Sequence, residues 1–208
     1  SYEPSKTECM FVPRRGFFTQ HAIECNIPAF ERILDIDDEA CDDQARESRD
    51  NLLRRLYQEA PETAEIPMDG GRITFSLSFK YLGTIIDAFL RDDREIERRI
   101  MSVECSFGAM KEFYARPEVS VNTKYRIFMA IQINLLLWGC EGWALRKDLL
   151  LKLQRCVNRK VRSILNISMT DVKDNRITLD NLRAMFNDIP RVESLVDARM
   201  MKFLGTIL

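Results

Sequence analysis

Ile96, Ile100, Val103, Phe107, Met110 and Tyr114 follow one another by four, three, four, three and four residues. Steps of that size return to one side of a 3.6-residue helix every time, so the stretch predicts an amphipathic helix with one buried stripe. Asp92 with Glu95 reads as a D-x-x-E start signal and Pro117 as the stop, with Arg94, Arg98 and Arg99 expected on the exposed side. Such a stripe needs a partner, and the sequence that follows supplies one. Ser120 is placed to cap a second helix running to Trp138, apolar nearly all round after Arg126 and therefore expected at the centre of the core. Gly139 and Gly142 break it. A third helix, about 145–165, buries Leu149, Leu153, Cys156, Val157 and Ile164. Two short helices are expected after Thr178 and after Pro190. On the polar side of the third helix Lys152, Arg155, Arg159 and Arg162 step by three, four and three. Lys160 falls in the apolar arc, where it must snorkel or find a partner.

Upstream the period changes. Ile73, Phe75, Leu77, Phe79 and Tyr81 alternate with polar residues, which predicts a half-buried strand, and Gly83 permits a bend or a close backbone approach. Pro61, Pro67 and Gly70-Gly71 read as a linker. Before it, Ala45, Leu52, Leu53, Leu56, Tyr57 and Ala60 recur at helical spacing among many charges, predicting a solvated helix over about 43–60. Cys9 to Val12 reads as a short strand. The expected class is α+β, predominantly helical, in which a β segment precedes a helical bundle. The expected segments are 1–13, 14–70, 71–91, 92–167 and 168–208.

The formal net charge of −1 hides an asymmetry. Residues 1–70 carry 8 basic against 16 acidic side chains, and residues 71–208 carry 23 against 16. An acidic stretch followed by a basic one favours a polyanion partner for the second, although the two parts could also neutralise each other. The six cysteines are scattered without a C-x-x-C pair and His21 is the one histidine, so neither a zinc site nor a His-dependent nucleophile is supported. Reduced thiols in an intracellular protein, cytoplasmic or nuclear, are the expectation. The most apolar run, Ile127 to Cys140, is interrupted by Gln132 and Asn134 and is too short for a bilayer. No membrane partner is expected.

Phe79-Lys80-Tyr81-Leu82-Gly83 is followed by Asp92-x-x-Glu95-Ile96-x-Arg98-Arg99-Ile100 and then Phe107. Further on come Leu136-Leu137-Trp138-Gly139-Cys140-Glu141-Gly142-Trp143, Arg155 and Ile164-Leu165-x-Ile167. In order and spacing the set resembles the carboxyl-terminal part of reverse transcriptases of non-LTR retrotransposons. Ser5 to Met10 and Arg199 to Gly205 resemble further segments of that family.

The resemblance implies the edge of a polymerase palm at 1–13 and 71–87, with a primer-grip hairpin at Phe79, Lys80, Tyr81 and Gly83. It implies a helical thumb over 92–167. It implies a fragment of an RNA-directed DNA polymerase that holds an RNA/DNA primer–template duplex and lacks the upstream fingers and palm. Nucleic-acid contacts are expected from the four hairpin residues and from Lys152, Arg155, Arg159 and Arg162. Phe79 and Tyr81 have a second reading as ordinary strand packing. Lys6 resembles the family's lysine that is a candidate proton donor to departing pyrophosphate, and its second reading, as a surface lysine before an edge strand, is the stronger. The family's metal-binding aspartates have no match: Asp37-Asp38 and Asp42-Asp43 lie in an apolar-poor run, and Asp92-Asp93 at a helix start, where acids suit the dipole. No catalytic residue, metal ligand or cofactor is therefore expected in this chain. Mg2+ would belong to the intact parent enzyme, and the chain alone is expected to be inactive. The 14–70 insertion is longer than the family pattern, and Trp138 stands where tyrosine is usual. Two rival readings are a non-catalytic nucleic-acid-binding module and a helical interaction domain of the same ancestry.

Overall fold

The computed structural model describes residues 10, 51, 52, 54, 55, 66–68, 71–73, 75–88, 90–174 and 176–207. The expected strand at 9–12, Lys6, and most of the 43–60 helix lie outside them, although Asn51, Leu52, Arg54 and Arg55 are helical. The chain divides into two units, Ser1–Asp92 and Asp93–Leu208.

In the first unit, β1 (Ile66–Met68) pairs antiparallel with β2 (Gly71–Ile73), and β3 (Ser78–Tyr81) with β4 (Thr84–Asp87). The expected linker is thus a hairpin. The residues between β1 and β2 are Asp69-Gly70, a dipeptide that favours two-residue hairpin loops, and that signal was outweighed by the nearby prolines. The single alternating strand expected from Ile73 to Tyr81 is divided, because Ile73 ends β2 and a bend at Leu77 precedes β3.

The β3–β4 hairpin turns at Leu82-Gly83, with Tyr81 opposite Thr84. Both turn residues have positive φ, 46° and 82°, as the tight primed hairpin turns require. Glycine takes that conformation freely, whereas leucine is strained in it. Leu82 is also 81% exposed and gains little from packing. Leu82→Asn is expected to stabilise the hairpin by about 0.5–1 kcal/mol, checked by slower amide exchange of β3 and β4.

The second unit is helical. α1 (Asp93–Ala109) buries Ile96, Val103 and Phe107, as the stripe requires. The helix expected to run to Pro117 breaks at Met110, and α2 (Lys111–Ala115) continues after it. The break leaves the Tyr114 ring stacked on Phe107 at 5.0 Å between centroids. Arg99 is not on the exposed side: it is buried and donates to Glu95, itself buried, at 2.5 Å.

Ser120 caps α3 (Val121–Phe128), accepting from the Thr123 N–H. The rod continues through a π-helical stretch, Met129–Ile133, and a last turn, Asn134–Leu136. Gln132 sits fully buried in the widened stretch. Its Oε1 accepts from the Tyr114 hydroxyl at 2.7 Å, and its Nε2 faces Ser106 Oγ and Met110 Sδ. A buried amide left unpaired would be costly, so these partners decide that the polar interruption is tolerated. Burial pushes the Tyr114 hydroxyl pKa up to about 12, so it remains a donor.

Gly139, at φ 79°, reverses the chain into a 3-10 turn, Cys140–Gly142. Trp138 is exposed there and Trp143 buried. α4 (Lys147–Ile164) buries every apolar residue assigned to it. It ends in a Schellman motif with Asn166 at positive φ: the Ile167 N–H reaches Arg162 O and the Asn166 N–H reaches Ser163 O. α5 (Met169–Asp174), α6 (Leu179–Met185) and α7 (Val192–Ile207) complete the unit. α7 packs on the Cys140–Gly142 turn and on α4, and Arg199 donates to Leu137 O at 3.0 Å. Among the described residues no helix is long and apolar enough to cross a membrane.

Candidate nucleic-acid interface

Lys152, Arg155, Arg159 and Arg162 lie along α4, and the structure gathers them on one cleft of about 510 Å³ formed with α1, α5 and α6. Its floor is apolar, with Ile100 from α1, Val172 from α5, and Ile177 and Leu182 from the loop and helix that follow, while Leu179 on the same lining is exposed. The floor was not legible from the sequence, because those residues come from four separate segments whose spacing carries no common period.

The four cations are not equivalent. Arg159 is paired with Glu104 of α1, and Arg162 rests against the Met169 thioether. Lys152, Arg155 and Arg162 have no carboxylate partner among the described residues. Lys160 finds the partner its position demanded. Its ammonium pairs with Glu104 and lies 4.7 Å from the centre of the Phe107 ring. Partial burial by itself would raise the Glu104 carboxyl, but Lys160 and Arg159 outweigh it and hold the group below the ordinary carboxylate range. Sequence reading missed Glu104, which lies 55 residues from Arg159 and has no local signature.

The start of α4 is tied to that of α1 by Arg146, which donates to Asp93 at 2.8 and 3.2 Å and to Asp148 at 3.1 and 3.2 Å. Asp93 is therefore engaged by a guanidinium at a helix start. Burial raises the Cys156 thiol on the cleft wall, and raises that of Cys140 to about 11, so neither is a thiolate at neutral pH.

In the other unit Phe79, Lys80 and Tyr81 are all exposed, Tyr81 at 56%. Exposure of both aromatics departs from strand-core packing. Phe79 and Tyr81 share one face of β3 by the two-residue period, Lys80 takes the other, and Gly83 completes the turn. Comparison of the chain with protein-family models, curated proteins and solved structures returned no match.

Proposed function

We propose that this chain binds a primer–template duplex as the thumb and palm-edge part of a reverse transcriptase of the non-LTR retrotransposon type, without itself supplying the catalytic metal site. The observation that carries the reading is the convergence of Lys152, Arg155 and Arg162, unneutralised among the described residues, on one rigid helix beside a cleft. Backbone phosphates are bound by such cations regardless of sequence. The exposed Phe79 and Tyr81, with Lys80 between them and Gly83 at the turn, support the primer-grip part of the same reading. Flat apolar rings suit a terminal base or sugar, and the lysine suits a phosphate.

Three phosphate contacts give a slope of about −2.7 in log affinity against log salt for B-form DNA, or roughly a 40-fold loss between 50 and 200 mM. Fluorescence anisotropy on a labelled primer–template duplex measures it. With Lys152, Arg155 and Arg162 all changed to Gln the slope is expected to flatten by about 2.7, leaving only the single contact of Lys80. A slope left unchanged by the triple change would remove the assignment, and would leave the helical interaction domain as the better reading.

A further inference from the structure

Phosphate binding accounts for the rim of the cleft but not for its floor. A paired duplex keeps its base faces stacked inside and presents phosphates on a convex surface. It can meet the cations, yet it has nothing to place against Ile100, Val172 and Leu182. We infer that the cleft receives the base of a single unpaired nucleotide at a duplex end, while the flanking phosphates meet Lys152, Arg155 and Arg162. This rests on the duplex-binding reading and narrows it.

Three observations carry the inference. The volume, about 510 Å³, lies within the range of about 300–1,000 Å³ typical of small-ligand pockets and leaves room for a nucleotide. The apolar floor suits a flat base, since unstacked bases are held against aliphatic as well as aromatic side chains. The wall also carries an oriented donor. The Val192 N–H donates to Gln154 Oε1 at 2.8 Å, which fixes the Gln154 amide. Its Nε2 then donates to Asn158 Oδ1 at 2.9 Å, which holds the amide of Asn158, a residue that lines both this cleft and the neighbouring one, with its NH2 as a donor suited to a carbonyl or ring nitrogen on a base edge. An acidic amphipathic peptide would also meet the charges and the floor, and it is the competing occupant in the test.

The experiment compares two labelled duplexes with the full chain at fixed salt. Each ends in a one-nucleotide overhang, one bearing a base and the other an abasic sugar with the same phosphates. The base-bearing duplex is expected to bind about five- to tenfold tighter, with an equal salt slope. Val172→Trp, which fills the cleft without changing charge, is expected to erase that preference and keep the slope. Because Val172 is partly buried, a second variant changes the exposed Met169 and Leu179 together to Ser and should reduce the preference in the same direction. Equal binding of the two duplexes with the slope intact overturns base insertion and leaves duplex binding standing. Loss of salt-dependent binding to both overturns both. Displacement of the overhang duplex by a Glu/Leu-alternating peptide at lower concentration than by unlabelled duplex overturns the inference in favour of a protein partner.

Discussion

Phe186→Ala is expected to lower the stability of the helical unit by about 3–5 kcal/mol, the usual cost of emptying a fully buried phenylalanine site. Phe186 has no exposed surface, and its ring meets Phe128 and Tyr125 edge-on at 5.7 and 5.6 Å. Such edge contacts add about 0.5–1.5 kcal/mol beyond area burial. The consequence reaches the cleft, because α6 has seven residues and is too short to hold a helix by itself. Leu182 and Phe186 are its buried anchors, and Leu182 is part of the cleft floor. Truncating Phe186 should loosen the wall as well as weaken the unit, so preference for an unpaired base should fall before duplex binding does. Urea unfolding with linear extrapolation measures the stability. Leu179→Ala is the control, since that residue is 61% exposed and should shift stability by less than about 0.5 kcal/mol. A change below about 1 kcal/mol for Phe186→Ala would show that α6 is not anchored in this way.

What was legible in the sequence was what local periodicity can encode. The stripe from Ile96 to Phe107 fell on one packed face because helical geometry returns those positions to one side, and Tyr114 joined it from α2 across the break at Met110. Ser120 capped as expected, since its side chain satisfies an orphan N–H at the helix start. Lys160 was recognisable as a problem, a charge inside an apolar arc, but its solution was not, because Glu104 comes from a different helix. Arg99 was misplaced for a related reason. Its own helix puts it beside Glu95, and a buried ion pair competes with exposure in a way no hydropathy pattern reports. The strand alternation misled more seriously: Phe79 and Tyr81 keep the period but expose their rings, since period two specifies a face and not what covers it. The basic stripe of α4 was fully written in the sequence, whereas the cleft beside it required tertiary packing.

Glu104→Gln separates a structural role from a functional one, since its two expected effects have opposite signs. The carboxylate is shared by Lys160, whose side chain is only 10% exposed, and by Arg159, which is 57% exposed. Removing its charge leaves the buried ammonium with the Phe107 ring and a neutral amide. The expected cost is about 1–2 kcal/mol, above that of an exposed pair and below that of a fully buried one. The same change releases Arg159 to meet a phosphate, so the salt slope should steepen by about 0.9 and binding at low salt should tighten. The pH dependence fixes the assignment independently. A carboxyl held below its ordinary value stabilises the fold above the unfolded-state value of about 4.3, and that contribution is lost as pH falls through the lower folded value. The stability gap between the wild-type chain and Glu104→Gln should therefore be full at neutral pH and close on acidification below about 4. A gap that persists in acid would assign the loss to packing rather than charge. A salt slope unchanged by the substitution would mean that Arg159 does not face the bound nucleic acid.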